Sequence, residues 1–553
     1  MDGRLIGIAI GSSAVVAAGP VFKWIRSALG NDALTAKTSG EGAASTGFGS
    51  HKSSDDTCPL TRCECGQSSG LSDLPIASAS KDVSSPLTAN NALLSESAEG
   101  TAVDAARVNR KREKGELSSR GERALEPIPG LYYFSASMEA AGDMYSPTAN
   151  PNGFINVSIA ENMLMFDWLQ EKLRARAAIE PEVARYNLVT GMVRFKTAVA
   201  HTIQRLLLPR CPGLVSPGNI CVGAGVSAII EHLAYSLCDA GEGVLIPAPF
   251  YPGFIGDFQL RNRVEIIPVA TADQRLFQPS PEDCQSALDA AAARGVCVRA
   301  IVLTNPTNPH GTVWPEAVVE QLVAWALQAG LHVIADEVYS ASVFGDGAAE
   351  CVSGVELAER MVAEGKASRD EVDERVHLTY GMSKDFTLNG FRVGILFSRN
   401  QRLLTALGMV NIFSWVSQDT QWALSGLLED DAWVDAFLAE NKTRLHRSHH
   451  LICSTLEELA IPFVPSGAAM FVFVDMRRFL AAPTFEAEKQ LWTDIKDNAK
   501  LVMVPGESCR APAPGYFRLC FSSVPYEHLE VACARLFAFF NARAAKSADS
   551  LAV

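Results

Sequence analysis

The chain has 553 residues, 48% of them hydrophobic, with a formal net charge of −14 at neutral pH, enough for one large α/β enzyme with appendages or for two to four average domains. The acidic balance, with no dense basic stripe, excludes a nucleic-acid surface, because phosphate backbones recruit clustered Lys and Arg. Of the 13 cysteines, ten are scattered singly through hydrophobic sequence after residue 200, which reads as buried thiols of a reducing compartment and not as a disulfide framework.

Leu5 to Phe22 is an apolar run rich in Gly, Ala and Ser, followed by Lys23 and Arg26, near the lower length limit for a spanning helix. It fits a signal anchor, a signal peptide or the core of a transit sequence, and equally a short, weakly apolar helix with no membrane role. Residues 1–30 are therefore set apart as a targeting or membrane-tether segment, and the compartment stays open. From about Asn31 to Val108, Ser, Ala, Gly, Asp and Glu dominate; such a segment cannot bury enough surface to fold, so 31–130 is expected to be a disordered linker. Cys58, Cys63 and Cys65, with only His51 nearby, match zinc patterns poorly, and no metal site is expected. Arg107, Arg110, Lys111, Arg112 and Lys114 are interleaved with Asp104, Glu113 and Glu116, which reads as a solvated linker.

From Gly153 onward, short β-branched runs alternate with amphipathic helical stretches, the pattern of a parallel sheet with crossover helices. The runs Asn219–Val222, Val244–Pro247, Val264–Val269, Arg299–Leu303, His332–Ala335, His377–Thr379 and Arg392–Phe397 are seven candidate strands of one sheet. Beyond about Asp430 come a helix, candidate strands at Phe471–Asp475, Leu501–Val504 and Tyr516–Phe521, and a closing helix from Tyr526 to Ala542. The expected organisation is an N-terminal arm and the start of a small domain over 131–215, a large domain over 216–430 and a smaller α+β domain over 431–545.

Ligands of open parallel sheets collect at the carboxyl ends of the strands, so residues directly after the apolar runs matter most. Val222 is followed by Gly223-Ala224-Gly225-Val226-Ser227-Ala228 and a helical pattern through Ile230, Leu233 and Leu237. Small residues and free backbone N–H groups at a helix N-terminus suit a phosphate, although a plain tight turn has the same signature. After the fourth run comes Thr304-Asn305-Pro306-Thr307-Asn308-Pro309-His310-Gly311-Thr312, and after the fifth Asp336-Glu337-Val338-Tyr339. After the sixth comes Tyr380-Gly381-Met382-Ser383-Lys384-Asp385, then Gly390-Phe391-Arg392-Val393-Gly394. A lysine and an arginine eight residues apart, with a serine beside the lysine, can serve an aldehyde and a phosphate on one cofactor.

These motifs, with Ile159-Ala160-Glu161-Asn162, Pro247–Phe254 and Tyr516-Phe517-Arg518-Leu519-Cys520-Phe521, resemble the class I/II aminotransferases, most closely the 1-aminocyclopropane-1-carboxylate (ACC) synthase branch, over roughly Met144 to Ala542. The resemblance implies the pyridoxal phosphate (PLP) fold of type I, with a seven-stranded mostly parallel sheet and a smaller α+β C-terminal domain. It also implies that Lys384 carries PLP as a Schiff base and then acts as the base at the substrate α-carbon, as a lysine of lowered pKa can. Asp336 would pair with the pyridine nitrogen. Asn308 and Tyr339 would bond the ring hydroxyl, and Tyr251 would stack on the ring. Arg392, Ser383 and Val226-Ser227 would hold the phosphate, Arg518 the substrate carboxylate, with Asn308 and Glu161 also near the substrate.

Two departures bear on the reaction. The family pattern Ser-x-Ser-Lys here has Gly381 in place of its first serine, so one phosphate hydroxyl is missing and a water is a candidate substitute. ACC synthases place a tyrosine for the partner subunit's phosphate two residues before the Gly191 turn, where this chain has Val189; many aminotransferases place it five before, where this chain has Tyr186. The resemblance thus implies a homodimer with shared sites. Transamination between an α-amino acid and a 2-oxo acid is the leading expectation. Close behind is ACC synthase, in which the α-carbanion of S-adenosylmethionine attacks its own γ-carbon and expels methylthioadenosine. A β- or γ-lyase and a non-catalytic PLP-binding regulator are the remaining readings.

Overall fold

The computed structural model describes residues 117–551, apart from 127, 129, 176–177, 273–274 and 346–349. The Leu5–Phe22 run, the three early cysteines and the basic cluster lie outside the described residues. Among the described residues no helix is long and apolar enough to cross a membrane.

Strand β1 (Ile155–Asn156) precedes the main sheet, which is built from β2 (Ile220–Gly223), β3 (Gly243–Ala248), β4 (Glu265–Ala270), β5 (Val298–Thr304), β6 (His332–Asp336), β7 (Val376–Gly381) and β8 (Gly394–Ser398). These seven strands stand in the order β2-β8-β7-β6-β5-β3-β4. Every apolar run read from the sequence as a strand of this sheet falls in it. The pairs from β4 through β7 are parallel, and β2, β3, β7 and β8 are buried along their whole length, as expected where helices cover both faces.

The sheet is mostly parallel, as expected, and its antiparallel member is β8, which runs opposite to both β2 and β7. Between β7 and β8 there is only a 3-10 turn, Asn389–Phe391, and a parallel return would need a crossover helix. The eighth strand also begins at Gly394 and not at Arg392, because Arg392 has left-handed backbone, with φ of 55°. That conformation breaks the ladder and frees its side chain for the sheet's edge.

After the helix Asp431–Glu458 come β9 (Phe471–Asp475), β10 (Leu501–Val502), β11 (Val504–Pro505) and β12 (Tyr516–Cys520), followed by the helix Tyr526–Leu551. The Leu501–Val504 run, read as one strand, is two. β10 pairs in parallel with β1, and β11 pairs antiparallel with β12 in the sheet β11-β12-β9. The chain changes partners at Met503, so the arm strand and the small sheet are joined through one short segment. The helix Val193–Leu206, assigned to the arm by sequence, contributes Phe195, Val199 and Ile203 to the same core as Val222, Leu303 and Leu378 of the main sheet.

Candidate active site

Strand register aligns three side chains at the carboxyl ends of the central strands: Thr304 of β5 faces Asp336 of β6, which faces Thr379 of β7. Both threonine hydroxyls donate to the Asp336 carboxylate at 3.2 Å. Asp336 is only 5% exposed, and burial pushes its pKa up to about 6 against the pull of these two bonds and of Lys384. A cationic partner at this carboxylate would offset that cost.

Lys384 stands just beyond β7, and its Nζ donates to the Ala160 carbonyl at 2.7 Å, an acceptor shared with the Asn389 amide at 3.0 Å. Burial lowers its pKa to about 8, so a substantial fraction carries a free lone pair near neutrality. The backbone around it is fixed by its neighbour Asp385, fully buried, which accepts from Ala341 N at 2.9 Å, Ser342 Oγ at 2.5 Å and Tyr380 Oη at 2.9 Å. Asn441 of the Asp431–Glu458 helix donates to the Asp385 carbonyl at 3.4 Å and accepts from Asn162 at 2.7 Å. The arm, the long helix and the lysine loop are therefore tied together.

The anion-binding end is a meeting of glycines. Gly225 takes φ of 90° ahead of the helix Val226–Leu237, and a Cβ there would collide with the Arg392 guanidinium. Glycine thus lets the arginine lie against a helix N-terminus whose N–H groups are free for an anion. Ser227 and Ser383 border the same space.

Above these groups, Asn308 Nδ2 donates to Tyr339 Oη at 3.3 Å, and Arg518 Nη1 donates to Asn308 Oδ1 at 2.9 Å. Arg518, 2% exposed in β12, also donates to the Ser158 carbonyl at 2.7 Å and lies 4.4 Å from the centre of the Phe471 ring. Its Nε has no partner. A buried guanidinium with neutral partners only is suited to an incoming carboxylate. Burial also raises the phenols: Tyr251 to about 12, Tyr339 well above the usual range.

Asp336, Lys384, Ser227, Ser383, Arg392, Asn308, Tyr339, Tyr251 and Arg518 open on one cavity of about 540 Å³. Of the residues singled out from sequence, Glu161, Val226, Ser227, Tyr251, Asn308, Asp336, Tyr339, Ser383, Lys384, Arg392 and Arg518 line it. Tyr186 does not. It is 92% exposed and stacks on Trp415 with ring centres 5.9 Å apart. Sequence reasoning missed Asp257, whose carboxyl hydrogen-bonds Ser227 and is pushed up to about 7 by burial, and the wall formed by Tyr133, Phe134 and Met138 of the helix Tyr133–Ala141. Asp257 lies on a single irregular turn, Gly256–Leu260, which has no periodic signal. Thr304 and Thr379 were visible only as strand ends; their register supplies the meaning.

The cavity can hold PLP: an amine of lowered pKa for the aldehyde, a buried carboxylate for the ring nitrogen and a guanidinium at a helix N-terminus for the phosphate. The profile of the aminotransferase class I and II family matches residues 155–536. The chain belongs to that family. It is a PLP-dependent enzyme. The chain is 34% identical over 441 residues to 1-aminocyclopropane-1-carboxylate synthase 4 of Oryza sativa subsp. japonica, covering 75% of this chain and 87% of that protein. It is 34% identical over 417 residues to 1-aminocyclopropane-1-carboxylate synthase 5 of Arabidopsis thaliana, covering 74% and 87%. Among solved structures, the aspartate aminotransferase of Thermus thermophilus with maleate superposes with a TM-score of 0.62 at 21% identity, covering 77% of this chain and 99% of that one. That of Thermotoga maritima gives 0.60 at 21%, covering 77% and 100%. The fold is thus the type I PLP architecture, with a large seven-stranded sheet and a smaller C-terminal domain.

Proposed function

We propose that this enzyme is an ACC synthase, converting S-adenosylmethionine to 1-aminocyclopropane-1-carboxylate and methylthioadenosine. The observation that carries the reading is the charge inventory of the cavity wall. Its three cations, Lys384, Arg392 and Arg518, each have a task, and the wall adds the carboxylates Glu161 and Asp257. Among the described residues the cavity wall thus offers no further cation for the second carboxylate of aspartate, glutamate or 2-oxoglutarate, while Glu161 suits a substrate whose departing group leaves a sulfonium centre. The similarity to the plant ACC synthases supports the same order of preference, which reverses the one drawn from sequence alone.

PLP, when bound, supplies the electron sink that makes the α-proton acidic. Arg518 fixes the substrate carboxylate through its planar fork, with Asn308 and Ser158 holding the guanidinium in place. Lys384 Nζ takes the proton from the α-carbon, its lowered pKa leaving more of it unprotonated near neutrality than an ordinary lysine. Asp336 holds the proton on the ring nitrogen, braced by Thr304 and Thr379. Asn308 and Tyr339 would bond the ring hydroxyl and Tyr251 would hold the ring in place. Val226 N–H, Ser227, Ser383 and Arg392 would anchor the phosphate. Glu161 faces the sulfonium, from which the neutral thioether leaves as the α-carbon closes on the γ-carbon.

Transamination is the second reading, favoured by Tyr186, which stands five residues before Gly191 as in many aminotransferases. In a homodimer Tyr186 would reach the partner's phosphate, and its near-complete exposure in one chain fits that role. Methylthioadenosine and ACC from S-adenosylmethionine decide for the first reading; a new 2-oxo acid from an amino acid and 2-oxoglutarate, without ACC, decides for the second.

A further inference from the structure

Gly381 ends β7 on the cavity wall and pairs across the ladder with Gly394 of β8. A Cβ at position 381 would stand 2.8 Å from Val226 Cγ2 and 2.9 Å from the Val393 carbonyl oxygen. Both are closer than carbon and oxygen atoms pack without displacement. The crowding atom belongs to a β-branched side chain at the first turn of the helix Val226–Leu237. Such a side chain has little freedom at χ1 and cannot swing aside cheaply. The space a residue at 381 would use is therefore taken by the Val226 methyl and the Val393 carbonyl oxygen.

We propose that Val226 and Gly381 are a size-matched pair that sets how the phosphate end of the cavity is built. The isopropyl group of Val226 occupies the place of a side chain at 381, so the phosphate is held by the helix N-terminus, Ser227, Ser383 and Arg392 with no hydroxyl from β7. A larger residue at 381 needs a smaller one at 226. A serine at 381 is crowded by the Val226 methyl on one side and the Val393 carbonyl on the other, so cutting Val226 back to alanine relieves the first contact and makes room for an added phosphate donor. The proposal rests on the assignment of Ser227, Ser383 and Arg392 to the phosphate, and is independent of which reaction follows.

The test is a double-mutant cycle on the full chain with Gly381→Ser, Val226→Ala and both together. Two quantities are read: the dissociation constant of PLP from fluorescence titration of the cofactor-free protein, and its thermal midpoint. Gly381→Ser alone is expected to lower the midpoint and to weaken PLP binding roughly tenfold, the scale of an overpacked site. Adding Val226→Ala should reverse a large part of both losses, the contact with the Val393 carbonyl remaining. If Gly381→Ser binds PLP as well as the parent with an unchanged midpoint, or if the two effects simply add, the pairing is wrong. Should Gly381→Ser fail to fold, recovery of a folded double variant upholds the proposal, and loss of the double variant when Val226→Ala folds overturns it. Arg392→Ala separates the levels: unaltered PLP affinity there removes the phosphate assignment itself, whereas weakened affinity without rescue in the cycle removes only the pair.

Discussion

Arg518 of β12 and Asn308 of the turn after β5 are joined by a 2.9 Å hydrogen bond from Nη1 to Oδ1. A residue of the small sheet thereby sets the orientation of a residue of the main sheet, and Asn308 passes that orientation to Tyr339 through its other amide atom. Recognition of a substrate carboxylate and tuning of the cofactor ring therefore share one amide. Arg518→Lys keeps the charge but loses the fork that serves Asn308, Ser158 and a carboxylate together. Its KM for the amino-acid substrate should rise about 10- to 100-fold, with a smaller change in kcat. Steady-state kinetics read this directly, and an unchanged KM would remove Arg518 from carboxylate binding.

Lys384 is held near pKa 8 by burial. Below that value it is an ammonium without a lone pair, so capture of PLP by the cofactor-free protein should speed up about tenfold per pH unit and level off above about pH 8. Stopped-flow absorbance gives the profile. A rate that kept climbing to pH 10 would show an ordinary, unshifted lysine.

Asp336→Asn should still bind PLP but lose α-proton exchange by about 10²-fold or more, since the ring nitrogen is no longer held protonated. The same substitution has a signature without cofactor. Asp336 titrates near 6 in the folded chain and near 3.8 when free of it. Between these values the native state binds more protons than the unfolded one, so rising pH costs the parent stability that the asparagine variant retains. The stability of Asp336→Asn relative to the parent should therefore grow from pH 4 to pH 6 and then stay level in urea titrations. A flat difference would mean that burial does not raise this carboxyl.

The chemistry-bearing residues were legible in the sequence because each stands beside or inside a short apolar run. Asp336 and Lys384 come at or just beyond a strand's carboxyl end, where a sheet delivers side chains to its edge, Arg392 stands just before β8 and Arg518 inside β12, and the seven strands were found from the same runs. What sequence could not supply depended on partners distant along the chain. The antiparallel β8 follows from a connection too short to cross over, and the split at Met503 from a partner strand more than 300 residues away at Ile155. Asp257 reaches Ser227 from an irregular turn, and Gly381 looked like a loss until Val226 was seen to fill its place.

Asp385 is the clearest buried polar centre outside the chemistry. Asp385→Ala would strand three donors, Ala341 N, Ser342 Oγ and Tyr380 Oη, beside the lysine loop. It should cost about 3 kcal/mol of stability, while Asp385→Asn, which keeps an acceptor, should cost less. Urea denaturation of the cofactor-loaded proteins checks the order, and equal stability of the alanine variant and the parent would refute it.

The most direct measurement is the product analysis of purified, PLP-loaded enzyme incubated with S-adenosylmethionine. The account predicts ACC and methylthioadenosine in equal amounts, both abolished by Lys384→Ala. Neither product from S-adenosylmethionine, together with a new 2-oxo acid when the enzyme is given an amino acid and 2-oxoglutarate, would contradict it.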